Sequence, residues 1–280
     1  MSEMEPEQLP AIRSRFQPRQ AALGLAWGLG VAATLLAIWW LAAWLARLGG
    51  DPSLVAKLPY PGAVALAMRE YAPTLLDAAW STGSRAVVGF LIGLVVGTGF
   101  GVLMIQSRWI EYGLVPYILA SQMIPLIALV PVLQAVLRDA DLVRLYVCAY
   151  VTFFVVSMAV LRGLKDAKPV ALELMDSINA SRWTTLRYLR FPAALPYIFT
   201  GLRVAAPLSL IGAILVDFLG ARNGLGYLLV ASLSIGESQS TILWATLVIS
   251  MTLGLLFTRV IVLLERRLCF WQPAFRETAA

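Results

Sequence analysis

The sequence predicts one all-α integral membrane domain with six transmembrane helices. Two observations lead there. Of 280 residues, 60% are apolar and only 14% charged, against about 45–50% and about 25% in an ordinary soluble domain. That is too little charge to cover a water-facing surface, and too much apolar residue for a disordered chain. The apolar residues also fall in long runs without period-2 alternation, which excludes a transmembrane barrel. No soluble domain, low-complexity tract or internal repeat is visible.

A spanning helix needs about 20 predominantly apolar residues. The first run, residues 20–46, carries no charge and holds Trp27, Trp39, Trp40 and Trp44. It far exceeds the roughly 7–15 apolar residues of a signal-peptide core, so it is expected to be a retained span. Residues 47–82 follow as a hydrophilic stretch whose Pro52, Pro59, Pro61 and Pro73 predict turns and short helices. Residues 86–107 and 112–137 are charge-free and predict the second and third spans. The fourth covers 145–161 and extends past Arg162, and the fifth covers about 196–219. The sixth runs over 238–258 and past Arg259 to Leu264. This divides the chain into an N-terminal segment 1–20, a membrane domain 21–264 and a C-terminal tail 265–280.

Lys and Arg set the expected orientation. If the N-terminus is cytosolic, twelve cations fall inside: Arg13, Arg15, Arg19, Arg108, Lys165, Lys168, Arg182, Arg187, Arg190, Arg266, Arg267 and Arg276. Five fall outside: Arg47, Lys57, Arg69, Arg138 and Arg222. Arg85, Arg144, Arg162, Arg203 and Arg259 lie in or at the edges of spans, where Arg203 is expected to snorkel to the cytosolic interface. Positive charge is retained on the cytosolic side, so both termini are predicted there. The net charge of +6 is accounted for in the same way, without a nucleic-acid partner. The only two cysteines are Cys148 and Cys269 and there is no histidine. That excludes a disulfide framework, a Cys/His zinc site, imidazole-based catalysis and an imidazole pH switch.

Within the second span, Gly89, Gly93, Gly97 and Gly101 recur every fourth residue. They share one helix face and let a neighbouring helix approach closely. No Gly-Lys-Ser/Thr follows, so this is not a phosphate-binding loop.

Residues 163–195 form the one long loop on the predicted cytosolic side. Pro169 suits a helical first turn. From there to Ile178, Val170, Leu172, Leu174, Met175 and Ile178 keep helical spacing, with Glu173 and Asp176 as acids. Asn179 tolerates the left-handed conformation that ends a helix, and Ala180 follows it. Ser181 suits the cap of a second short helix carrying Arg182, Trp183, Leu186, Arg187, Tyr188, Leu189 and Arg190. Pro192 and Pro196 are expected to break that helix and redirect the chain into the fifth span. Two short helices meeting at a sharp turn, with bulky apolar residues and a basic flank, suit a docking element for a cytosolic partner.

Here the chain resembles the permease subunits of bacterial ATP-binding-cassette importers. Their cytosolic signature reads Glu-Ala-Ala, three residues, Gly, about nine residues, an apolar residue, one residue, Leu-Pro. Glu173 stands at the Glu, Leu174 and Met175 at the Ala pair, Asn179 at the Gly, and Phe191-Pro192 at the Leu-Pro. The flanking text is similar to the branch that transports sulfonates, taurine, nitrate and pyrimidine precursors. LPYPGAV at 58–64, SRAVVGFLIG at 84–93, MIPLIALVPVL at 123–133, GARNGLGYLL at 220–229 and LLERRL at 263–268 extend the likeness over roughly 58–270. Larger residues at the Ala pair and Asn for Gly are the departures.

The resemblance implies a type I importer permease fold in the bacterial inner membrane. It implies a homodimer of permeases, two cytosolic ATPase subunits and an extracytoplasmic binding protein. ATP and magnesium would bind the partner ATPase, so this chain needs no cofactor and is not itself an enzyme. Glu173, Asn179 and Ser181 would shape the loop that enters the ATPase groove, Met175 and Trp183 would give apolar contact, and Arg182 a charged one. ATPase closure would swing the helices from inward-open to outward-open. The solute would be a small organic anion, an oxyanion or a pyrimidine or vitamin precursor. The rivals are an ion-coupled secondary transporter, which needs coupling residues and repeat symmetry, and a membrane-embedded enzyme, which needs clustered acids, metal ligands or a nucleophile and base.

Polar groups in the spans complete the list of candidates. Asp217, late in the fifth span, either serves a solute path or gate, or sits in a structural pair or a solvated position at the outer interface. Ser121, Gln122 and Gln134 on the third span either line a pathway or make interhelix hydrogen bonds. Gly224 and Gly226 permit a tight, re-entrant turn after the fifth span, near the outer gate that the resemblance implies.

Overall fold

The computed structural model describes residues 18–234 and 240–271. Segments 1–17 and 272–280, and with them Arg13, Arg15 and Arg276, lie outside the described residues.

Among the described residues the chain is all helix and turn. Five helices are long and apolar enough to cross a membrane, and a bent pair makes up to six. They are α1 (Pro18–Leu48), α4 (Ala72–Gln106), α7 (Ala140–Lys165), α10 (Phe191–Phe218) and α12 (Ser240–Leu268). Between α1 and α4 lie α2 (Pro52–Lys57) and α3 (Pro61–Glu70), so the proline-rich stretch does form short helices. α4 begins fourteen residues before the charge-free run at 86, because Asp77 and Arg85 interrupt the run but not the helix.

The third span departs from expectation. Residues 112–137 are not one rod but α5 (Arg108–Ser121) and α6 (Leu126–Leu137), bent by 93°. Pro125 stands at the N-cap of α6, and the residue before a proline is pushed out of the α region.

The fifth span departs as well. Pro192 and Pro196 do not break the helix. α9 (Arg182–Thr185) passes through a π-helical turn, Leu186–Arg190, into α10, and residues 182–218 make one 37-residue span. Phe191 N–H reaches back five residues to Leu186 C=O. That wider turn absorbs the missing donor of Pro192, which then sits in the first turn of α10, where proline is tolerated.

α7 is the central helix, clasped between α4 and α10. The four-residue glycine stripe of α4 faces it. A Cβ at Gly89 would lie 2.5 Å from Cys148 Cβ, at Gly93 2.5 Å from Ala149 O, at Gly97 2.8 Å from Phe153 O, and at Gly101 2.5 Å from Val160 Cγ1. No Cβ fits at such distances, so the two backbones pack together because these positions are glycine. Behind α7, Val156, Val160 and Leu164 pack with Ala194, Ile198, Leu202 and Ala205 of α10. Two more helices flank this core. α8 (Pro169–Ser177) projects between α7 and α9, and α11 (Leu225–Ser234) lies between α10 and α12. α1 docks by its last turns. Trp39 stacks on Trp244 of α12 at 4.8 Å, and its Nε1 donates to Pro59 O at 3.1 Å.

Candidate functional site

Two clusters stand at opposite ends of the bundle. The first is the elbow between α7 and α10. α8 closes with Ile178 as its C-cap, followed by Asn179 at φ 51°. Asn179 N–H donates to Asp176 O at 3.0 Å and Ala180 N–H to Met175 O at 2.9 Å. These are the two bonds of a Schellman motif, so Asn179 does the work of the glycine usual at that position. Two residues later Ser181 caps α9, its Oγ accepting from Thr184 N at 3.1 Å. The chain therefore reverses between two helices, each of which carries a cap at the turn.

The tip of this elbow is bare. Val170, Leu174, Ile178, Trp183 and Tyr188 are exposed, Trp183 at 65%. Glu173, Asp176, Asn179, Ser181 and Arg182 are exposed as well, whereas Met175 and Ala180 are half-buried beneath the turn. The base is fixed. Leu186 is buried against Leu164 and Ile198. Tyr197 Oη donates to Asp166 at 2.8 Å, and Arg190 donates to Leu164 O at 3.4 Å. Lys165 pairs with Glu111 of α5. The base of the elbow is thus tied to α7 and α10, and the end of α7 to α5. Arg203 does not stand free at an interface but pairs with Glu265, which is buried on α12. The partner is distant in the sequence, so span-by-span inspection does not reveal it.

The second cluster lies at the other end of α4, α7 and α10. Asp217 is buried at 1% exposure and pairs with Arg144, equally buried. Thr82 Oγ1 donates to the second Asp217 oxygen at 2.6 Å and accepts Leu225 N–H at 2.8 Å. Arg144 also pairs with Asp141 and donates to Asn223 O at 2.9 Å. Asp141 holds Arg85 at 3.1 Å. Asp217 is therefore paired and not solvated. Sequence reasoning does not single out Thr82, Arg144 and Asn223 as its partners. An Arg and an Asp at matched depth near the same ends of two spans are the available signal.

Gly224 and Gly226 prove to be close-approach positions around this pair, in a tight connection to a short helix. Gly224 has φ 100°, and a Cβ there would collide with Asp217 Oδ2. A Cβ at Gly226 would collide with Ile214 O. The remaining candidates separate. Ser121 and Gln122 sit at the α5–α6 bend, where Ser121 Oγ donates to Ile118 O at 2.8 Å and Ser121 O accepts from Tyr150. Gln134 lies instead beside Gly220, within reach of the Arg144 cluster.

Comparison with known proteins gives a consistent result. The profile of the family described as "Binding-protein-dependent transport system inner membrane component" matches residues 89–269. A probable ABC transporter permease protein of Haemophilus influenzae is 30% identical over 225 residues, 80% of this chain and 89% of that protein. The riboflavin transport system permease protein RibX of Chloroflexus aurantiacus is 29% identical, covering 95% and 96% of the two chains. Among solved structures, a chain of the inward-facing MetNI methionine ABC transporter superposes with a TM-score of 0.62 at 17% identity, over 71% of this chain and 98% of that one. That last likeness concerns the fold.

Proposed function

Since the chain belongs to the family of binding-protein-dependent transport system inner membrane components, we propose that it is the half of an ATP-driven importer that its partner ATPase moves through the 163–195 loop. The family are inner-membrane permease subunits of ABC importers, and ATP hydrolysis lies in a separate subunit. One observation carries the finer assignment. The elbow presents Leu174, Ile178, Trp183 and Tyr188 to solvent from a turn locked by two caps. A surface loop without a partner has no reason to order bulky apolar groups outward.

In this reading both termini and the elbow are cytosolic. Glu173, Asp176 and Arg182 give charged contact to the ATPase groove, and Leu174, Ile178 and Trp183 give the apolar contact. Met175, Asn179, Ala180 and Ser181 hold the turn. ATP and magnesium are bound by the partner. Two copies of this chain enclose the solute pathway, and an extracytoplasmic protein delivers the solute. Closure of the ATPase pair pushes the elbow. Because residues 182–218 form one helix, the push travels the length of α10 to the Asp217–Arg144 cluster at the outer end. The solute belongs to the organic anions, oxyanions, or pyrimidine or vitamin precursors.

Purification of the tagged chain in mild detergent is expected to bring down an ATP-hydrolysing subunit in equal stoichiometry. Recovery of the chain alone, with solute uptake driven by an ion gradient, would favour the secondary-transporter alternative.

A further inference from the structure

α12 is fastened to the bundle at its two ends. Of its 29 residues, Ala245, Thr246, Ile261 and Glu265 are the buried ones. At the first end Ala245 packs with Val64 and Leu75, and Trp244 Nε1 donates to Lys57 O at 3.0 Å. Between Thr246 and Ile261 the helix meets its neighbours through half-buried side chains, such as Phe257, which stands edge-on to Phe90 at 5.0 Å. At the second end Ile261 and Cys269 join the apolar cluster that holds Leu186, Ala194, Ile198 and Leu202 of the 182–218 helix.

An acid stands in the middle of that apolar end. Glu265 is the one acid of α12 and is buried at 3% exposure. It lies one turn from Ile261 on one side and from Cys269 on the other, whose N–H donates to Glu265 O at 2.8 Å. Such a group is costly to bury without a cation. Its partner is Arg203, the one cation of α10. The two are unequally placed. The Arg203 side chain is 38% exposed, so water reaches it, and among the described residues Glu265 is its one partner. An arginine so placed can snorkel into water. Here it reaches across to a neighbouring helix instead.

We infer that Glu265 is a positioning residue: through Arg203 it fastens the elbow-side end of α12 to the 182–218 helix, so that α12 travels with that helix when the ATPase pushes the elbow. The inference rests on the permease reading for the push. The apolar contacts of Ile261 and Cys269 set where the end of α12 lies. They do not hold it there under load, because apolar contact is non-directional and lipid tails are as apolar as a neighbouring helix face. The ion pair supplies the directional tie that those contacts lack.

Cys269, fully buried one turn beyond Glu265, reports on the fastening. Cys148, buried where α4 meets α7, is the internal control for an intact core. The permease–ATPase assembly in nanodiscs is treated with N-ethylmaleimide, both nucleotide-free and trapped with ATP and vanadate, and labelling at each cysteine is read by peptide mass spectrometry. In the parent chain Cys269 is expected to label slowly in both states. Glu265→Ala lets Arg203 turn to water, so the core survives and Cys148 stays unlabelled. In that variant Cys269 labelling is expected to rise about tenfold or more on trapping, because the end of α12 opens locally once α10 moves without it. Arg203→Lys keeps the charge and is expected to match the parent. A pair that serves stability alone would give Glu265→Ala the same labelling in both states, and that result would overturn the inference. So would fast Cys269 labelling in the trapped parent, unchanged labelling in Glu265→Ala, or Arg203→Lys labelling as fast as Glu265→Ala. ATPase retention, scored on the same samples, tests the permease reading separately.

Discussion

Replacing Asn179 with Ile and Ser181 with Val is expected to release the ATPase while the membrane bundle stays folded. Asn179 holds φ 51°, and a β-branched residue in the left-handed region costs about 1–2 kcal/mol more than one outside it. Ser181→Val removes the oxygen that accepts Thr184 N–H, and losing such a cap costs about 1 kcal/mol. Together, about 2–3 kcal/mol disfavours the elbow by a factor of about 30–150. The cost falls on an exposed turn, so the thermal unfolding temperature of the purified permease should barely move. The amount of ATPase recovered with it should fall by at least about tenfold, even if part of the elbow penalty is recovered on binding. Asn179→Gly should keep full recovery, because glycine suits positive φ better than Asn does. Full ATPase recovery with the double variant would show that the turn geometry does not matter to the contact.

The other large effect lies at the opposite end of α10. Arg144→Leu leaves Asp217 buried at 1% exposure without its cation. Breaking one side of a buried ion pair costs about 3–5 kcal/mol, because the remaining charge is neither solvated nor paired. Thr82 still donates to Asp217 at 2.6 Å, but a single hydroxyl does not replace a guanidinium. The variant should lose most of its folded, monodisperse fraction when heated in detergent before size-exclusion chromatography. Arg144→Leu with Asp217→Leu should recover much of it, since an apolar replacement of a buried pair is often close to neutral. A single variant as stable as the parent would mean that the pair is solvated and that Asp217 is free for another role.

The elbow is legible in the sequence because its determinants are local. Asn179 and Ser181 act on backbone groups within a few residues of themselves. The stripe from Gly89 to Gly101 is legible for a similar reason, since a four-residue period defines a helix face whatever it meets. Its partner, α7, is not written there. The 93° bend escapes sequence reasoning because an apolar run carries no sign of direction, and only Pro125 marks the place. The continuous helix through Pro192 escapes it because the π-helical turn that accommodates the proline is a backbone adjustment without a side-chain signature. Asp217, Arg144 and Thr82 meet across 73 and 135 positions. Each looks like an isolated polar residue until packing sets α4, α7 and α10 side by side. Gly224 and Gly226 take their meaning from the same event, for the space they leave is the space that the Asp217 carboxylate and the α10 backbone fill.

Photo-crosslinking from the elbow tip in intact cells examines the contact without disturbing the turn. Trp183, 65% exposed, is replaced with p-benzoylphenylalanine, a residue of comparable bulk and apolarity, and the cells are irradiated. A covalent adduct with the ATP-hydrolysing subunit is expected at position 183 and, in a parallel variant, at Leu174. No adduct from either position, in cells where the assembly is intact and transporting, would mean that the motor holds the permease somewhere else.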